Sequence, residues 1–297
     1  DNWLASKEPN IRHTTCEQYK GHLENYLKPF FEKLKINQIG FDAIEQFKAD
    51  HLKKGINPPT LSKYLRTLGA VLKHAVRMRY IDFNPASEVE KPKRSSSEEE
   101  KEIVVLGPTQ IQALFNNARD LKDEVMFMTA VLTGMRQGEI LGLKWSDIDW
   151  SNDQINVKRT YNHGRFYEPK SKASKRKIDL APQLVKALKE WKLASHFKAQ
   201  DDLVFPNPEG KPQNHTRMLR KSFHPTLVRA ELRRMRFHDL RHTYASLLIK
   251  QGENIKYIQA QLGHSSIQMT MDVYGHLMDT VNREAATKLG RFVFGDS

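Results

Sequence analysis

Cysteine is almost absent from this chain of 297 residues. Cys16 stands alone, which excludes an internal disulfide and fits a reducing compartment. Long apolar runs are missing too: none approaches the roughly 20 residues that a membrane-spanning helix needs. No signal peptide is visible at a start that lacks Met, so a preceding segment is expected to have been trimmed. No internal repeat is found. Acidic residues are in deficit, 35 against 48 Lys and Arg, for a net charge of +13 and a pI near 9.6. That balance favours a polyanionic partner, although many unrelated basic proteins share it. What is present, 39% hydrophobic residues, suits a soluble globular chain of one to three domains.

The charge is not spread evenly. Residues 1–94 carry 17 basic against 11 acidic residues, and residues 103–297 carry 30 against 20. Between them Ser95-Ser96-Ser97-Glu98-Glu99-Glu100-Lys101-Glu102 is net acidic and follows Pro92, which marks an exposed linker over 93–102. Two basic lobes, 1–92 and 103–297, thus flank an acidic tether, the charge layout either of a clamp around a duplex or of two lobes packed against each other. The first lobe is expected to be all-helical. One helix starts at Thr14 or Thr15 and ends near Pro29, a second follows Phe41 and closes at Gly55, and a third is capped by Thr60. The third carries Leu61, Tyr64, Leu65, Leu68, Val71, Leu72, Ala75 and Val76 on its apolar face, with Arg66, Lys73, Arg77 and Arg79 outside. The second lobe mixes helices over Val125–Leu132 and Pro182–Leu193 with strands at Gln154–Val157 and Asp202–Pro206. A basic hairpin followed by a strand is expected between Glu168 and Leu180.

Chemistry concentrates between His238 and Tyr274. Glycines punctuate short helices here: one stops near Gly252, a second runs from a cap at Asn254 to Gly263, and a third starts at Ser266 and carries Tyr274. His238 and Arg241, three apart, share a helical face. His264 follows a glycine helix stop, where a side chain projects into a cleft. Two imidazoles, a guanidinium and a phenol suit an anionic phosphate held by Arg and His donors while a phenolic oxygen attacks it. Upstream, Gly134-Met135-Arg136-Gln137-Gly138-Glu139 supplies a second guanidinium, with a carboxylate spaced to orient it.

This ordered set of Arg136, His238-x-x-Arg241, Leu262-Gly263-His264 and Tyr274 resembles the tyrosine recombinase (phage integrase) family. Residues 60–85 with the Ile81-Asp82-Phe83-Asn84-Pro85-Ala86 ending also resemble the core-binding domain of that family. The resemblance implies a mainly α fold with a small antiparallel β-sheet, in which a helical core-binding (SAM-like) domain precedes a mixed α/β catalytic domain. It implies a site-specific recombinase that integrates or excises a mobile element through a 3′-phosphotyrosyl intermediate and a free 5′-hydroxyl. Tyr274 is the implied nucleophile. Arg136 and Arg241 hold the phosphate, His238 assists proton transfer at Tyr274, His264 donates to the phosphate, and Glu139 supports Arg136. The catalytic lysine of the family falls on Lys170 in Pro169-Lys170-Ser171, with Lys172 as the alternative. Lys172, Lys175 and Arg176, like Arg66, Lys73 and Arg77, are expected on DNA. The covalent bond conserves the phosphodiester energy, so no cofactor and no metal is expected. The implied partners are double-stranded DNA, a homo-tetramer on that DNA and accessory DNA-bending or excision factors, in a prokaryotic cytoplasm.

Three competing readings stay open. His238 and His242 are four apart, the spacing of two zinc ligands on one helix, although zinc hydrolases usually place Glu where Asp239 stands. A type IB topoisomerase uses similar chemistry but reseals the same strand. A DNA-binding regulator would keep the fold without the activity. The tail, with Val281, Ala285 and Leu289 in a helical stripe before Phe292, packs either on its own lobe or on a neighbouring copy.

Overall fold

The computed structural model describes residues 2–93, 103–169, 172–275, 287, 291–293 and 295. The chain divides into two compact units, Asp1–Glu102 and Ile103–Ser297. Most of the linker, Lys170, and the tail positions Val281, Ala285 and Leu289 lie outside the described residues.

The first unit is helical: α1 (Asn2–Lys7), α2 (His13–His22), α3 (Lys28–Phe31), α4 (Phe41–Lys53) and α5 (Pro58–Arg77). The helix begun at α2 does not stop near Pro29 but runs through a π-helical stretch, Leu23–Leu27, into α3. Proline has no N–H to give the carbonyl four residues back. The ladder therefore slips to a longer spacing just ahead of it, with Lys28 N–H donating to Leu23 O. α5 starts earlier than the expected Thr60 cap. Asn57 Oδ1 accepts from Thr60 N–H at 2.9 Å, and Pro58 fills the first turn, where a missing N–H costs nothing. Leu61, Tyr64, Leu65, Leu68 and Leu72 of α5 are buried in one cluster with Leu27, Phe31, Ile44 and Phe47. Arg66, Lys73 and Arg77 are exposed on its opposite face.

The second unit joins α6 (Pro108–Asn116), α7 (Leu121–Thr133), α8 (Gln137–Leu141), α9 (Pro182–Ala194), α10 (His215–Met218), α11 (His224–Arg229), α12 (Asp239–Lys250), α13 (Ile255–Leu262) and α14 (Ile267–Tyr274) to two small sheets. Strands β1 (Ile148–Asp149), β2 (Gln154–Val157) and β5 (Arg176–Asp179) pair antiparallel in the order β1-β2-β5. Ile155 opposes Ile178, and both point into the core. The expected hairpin is displaced: β3 (Thr160–Asn162) and β4 (Arg165–Tyr167) form it, turning at His163 and Gly164, both at positive φ. Among the described residues of 168–180 a 3₁₀ turn, Lys172–Ser174, stands where the hairpin was expected, and β5 is the strand expected after it. Asp202–Pro206 forms no strand; only isolated bridges link Lys144 to Leu203 and Pro206 to Pro212. Proline shapes a second helix as it does α2–α3, since Pro225 follows a π-helical stretch, Leu219–Phe223, between α10 and α11. No helix among the described residues is long and apolar enough to cross a membrane.

Candidate active site

Two helix ends hold the two guanidiniums. α7 stops at Gly134, whose φ of 59° is left-handed. A side chain there would also strike the Tyr244 ring, at 2.4 Å from Cβ, so only glycine fits. α13 stops the same way at Gly263, φ 64°, where a Cβ would meet Ala173 O and Arg176 Cδ at 2.9 Å. The carbonyls freed at these ends point at arginines. Arg241 donates from Nη1 to Gly134 O and from Nη2 to Leu262 O, each at 2.7 Å. Arg136 donates from Nη2 to Gly263 O at 3.4 Å. A helix C-terminus carries partial negative charge, so it orients a cation without neutralising it.

Arg136 sits just before α8, and Glu139 folds back on it. Glu139 Oε2 accepts from the Arg136 backbone N–H at 2.8 Å and Oε1 from its Nη1 at 2.9 Å. The same carboxylate binds Arg176 through Nη1 at 3.2 Å and Nη2 at 3.0 Å. Burial alone would raise the Glu139 carboxyl; the Arg176 and Arg136 guanidiniums outweigh it and hold the group below its ordinary range. Arg176, a residue expected on DNA, instead turns its guanidinium inward in this structure. Its side chain is 5% exposed, and its Nε donates to Gln261 O at 2.6 Å, so it is a buried strut between β5, α8 and α13.

The imidazoles gather around Arg241. His238 precedes α12, and its ring meets that of His242 edge-on, with centroids 5.1 Å apart. His264 Nδ1 lies 2.9 Å from Thr270 Oγ1. Burial first, then neighbouring charge, pushes two of them down to about 4: His242 and Arg241 act on His238, Arg241 and Arg136 on His264. His238 keeps an exposed edge all the same. Arg241, 3% exposed, is pulled to about 9 by burial and then by Arg136 and Arg176. The imidazoles are therefore neutral at pH 7, beside cations that no carboxylate fully offsets. That is a site awaiting an anion.

Tyr274 ends α14, 2% exposed, with Tyr244, Ala245, Ile249, Ile258 and Leu262 in its apolar cluster. Burial raises its hydroxyl to about 12, against a smaller lowering by Arg241. The expected partner of this hydroxyl, His238, is not the one found. Oη lies 2.7 Å from Nδ1 of His242, one helical turn further along α12. The sequence offers His242 only as a zinc-ligand candidate, and its helical spacing from His238 is the signal that places it on the same face. Among the described residues no group of three or more His, Cys, Asp or Glu is placed to hold a metal ion.

A cleft of about 880 Å³ opens beside Arg136, lined also by Tyr161, His163 and Pro169 around the hairpin, by Asn214 and His215 at α10, and by Gly263. Lys170 lies outside the described residues, and of Lys172 only the backbone turn is described. Lys175 pairs with Glu168 at 3.0 Å on the surface. An exposed row of Asn214, His215, Thr216, Arg217, Arg220 and Lys221, not singled out by any motif, runs along α10 and the π-helical stretch after it. Asn214, capping Arg217 N–H at 2.9 Å, was the available clue.

Comparison with known proteins gives this arrangement its context. Residues 105–280 match the phage integrase family and residues 1–91 the phage integrase SAM-like domain. The ICEBs1 integrase of Bacillus subtilis is 30% identical, across 97% of this chain and 80% of that protein. A tyrosine recombinase XerC-like protein of Caldanaerobacter subterraneus is 28% identical, across 93% of this chain and 77% of its own. In fold, the chain is similar to the Tn1549 transposon integrase in complex with a circular intermediate DNA, with a TM-score of 0.78 at 20% identity over 98% of each chain. It is similar also to a lambda integrase dimer bound to a core site, with a TM-score of 0.69 at 18% identity over 90% of this chain and 96% of that one.

Proposed function

The chain belongs to the phage integrase family and is a tyrosine recombinase, and from that premise we propose that Tyr274 cuts duplex DNA at attachment sites of a mobile element and rejoins it to a new strand. One observation carries the reading: elements far apart in sequence bring Arg136, His238, Arg241, His264 and Tyr274 around one positively charged point. Tyr274 Oη attacks phosphorus, the P–O5′ bond breaks, and a 3′-phosphotyrosyl bond conserves the energy for rejoining. Arg136 and Arg241 hold the non-bridging oxygens. A guanidinium has five N–H donors, and the carbonyls occupy two of those on Arg241, which leaves donors for the phosphate. Thr270 at Nδ1 of His264 leaves Nε2 to donate to the phosphate, and His238 stands beside Arg241 for the same task. Lys170 protonates the departing 5′-oxygen; its chain neighbour Pro169 lines the cleft. Glu139 orients Arg136 without touching DNA. The exposed basic face of α5 (Arg66, Lys73, Arg77), Lys172, Lys175 and the row from Asn214 to Lys221 bind the duplex. Four copies assemble on two duplexes, with accessory DNA-bending or excision factors selecting direction.

The test is a suicide duplex, nicked near the scissile phosphate and bearing candidate attachment sequences. The wild-type chain forms a covalent adduct, and Tyr274→Phe binds the duplex equally but forms none. Adduct in that variant would sink the assignment. Relaxation of plasmids lacking any attachment site would instead indicate a topoisomerase.

A further inference from the structure

We propose that His242 serves as a base for the nucleophile, taking the Tyr274 proton on Nδ1 as Oη attacks phosphorus. The inference rests on the recombinase reading above and adds a residue to it. Geometry comes first: a base must lie within hydrogen-bond reach of the proton it removes. Nδ1 of His242 lies 2.7 Å from Tyr274 Oη, while His238 meets the ring of His242 and makes no hydrogen bond to the tyrosine. The rings of His242 and Tyr274 have centroids 5.6 Å apart and are tilted by 56°, which leaves Nδ1 and Oη facing edge to edge. Tyr274 is held by Tyr244, Ala245, Ile249, Ile258 and Leu262, so packing sets the direction of its hydroxyl.

The surroundings keep that imidazole able to accept. The charged and titratable groups facing His242 are Asp239, Arg236, Arg241 and His238 from its own helix and the lead-in, and Tyr274 from α14. Asp239 would favour the imidazolium, but Arg236 engages its carboxylate at 2.6 Å. Burial then dominates and lowers His242 below its ordinary 6.5. The ring is neutral at pH 7, and with the proton on Nε2 its Nδ1 lone pair faces the hydroxyl. Tyr274, raised to about 12, does not ionise unaided, so proton loss accompanies attack. The step balances: the Tyr274 O–H bond breaks, its proton forms the His242 imidazolium, O–P forms and P–O5′ breaks. The departing oxygen takes its proton from Lys170. Rejoining runs the same transfers in reverse.

The experiment measures single-turnover adduct formation on the suicide duplex from pH 4.5 to 8, for wild type, His242→Ala, His242→Asn and Tyr274→Phe. Duplex affinity and the melting transition are recorded for each. For the wild type, cleavage falls as the pH drops through an apparent pKa below 6.5, because protonated His242 has no lone pair to accept with. His242→Ala loses on the order of 10²–10⁴-fold at unchanged duplex affinity, the usual contribution of a positioned base. Asn keeps a hydrogen-bond acceptor near the Nδ1 position but cannot take the proton, so His242→Asn stays as slow as His242→Ala and lacks the His242 limb of the pH profile, whereas recovery of most of the loss by Asn would show that the contact only positions Tyr274. If His242→Ala alone melts early, the Asn variant carries the test. Wild-type rates or an unchanged limb in His242→Asn overturn the proposal. So does faster cleavage by His242→Ala, which would mean that the contact restrains Tyr274. No adduct with the wild type, or adduct in Tyr274→Phe, removes the recombinase assignment beneath it, and the two failures are thereby distinguished.

Discussion

Replacing Glu139 tests whether the site is held together by the buried carboxylate shared between Arg136 and Arg176. Glu139 and Arg176 are both 5% exposed and share two hydrogen bonds; Arg136, 36% exposed, adds a third and fourth. Glu139→Ala leaves Arg176 buried without its counter-charge, and removing one partner of such a pair costs about 3–5 kcal/mol. The Arg136 share is discounted for solvent screening. Against a total stability of about 5–15 kcal/mol this is a large fraction. With a urea dependence of about 3 kcal/mol per molar, the midpoint falls by about 1 M or more. Tryptophan fluorescence reports it well, since Trp145, Trp150 and Trp191 lie in the second unit and only Trp3 in the first. Acid sharpens the prediction. The folded carboxyl titrates below its ordinary 4.5, so its contribution is complete above that pH and is lost as pH falls through the folded value. Glu139→Gln has no such dependence, and the gap between it and wild type therefore narrows below about pH 4.5. A midpoint within about 0.2 M of wild type for Glu139→Ala, or a gap that does not change with acid, would refute the reasoning.

Alanine at Arg66, Lys73 or Arg77 should weaken duplex binding similarly for all sequences and lower the slope of log affinity against log salt by about 1 each; an unchanged slope returns that residue to a solvated helix face. Gly263→Ala should abolish adduct formation, because its Cβ would collide with Ala173 O and Arg176 Cδ at a left-handed position that orients both active-site arginines. Normal cleavage by that variant would show that the turn relaxes freely. Deleting residues 280–297 should reduce synapsis and recombination far more than single-duplex binding, as expected of a tail docked on a neighbouring copy. An equal loss of monomer stability, read by urea unfolding, would show that the tail packs on its own unit.

Local punctuation was legible in the sequence. Asn254, Gly263 and Ser266 bound α13 and α14 as their side-chain chemistry requires, and Gly134 stops α7. Misplaced boundaries share a cause: a second local device outcompetes the first. Asn57 with Pro58 caps α5 ahead of Thr60, and the chain passes through Pro29 because a π-helical slip absorbs the missing donor. Chemical partners across long separations were not legible. Nothing local distinguishes Arg176 from Lys175, yet one is a buried strut and the other a surface ion pair. Likewise His238 and His242 differ by one helical turn, and only the placement of α14 decides which meets Tyr274.

That blindness to partners is also why charge counting understates the site. Three guanidiniums, Arg136, Arg176 and Arg241, stand near one carboxylate, Glu139, which leaves the cluster cationic. Had carboxylates oriented Arg241, its charge would be spent before a phosphate arrived. Carbonyls at the ends of α7 and α13 orient it instead and carry only partial charge. Burial first, and the neighbouring guanidiniums second, hold His238, His264 and Arg241 below their ordinary values. The glycines at 134 and 263 thus serve catalysis through the backbone. They end two helices where the freed carbonyls hold a cation in place without cancelling it.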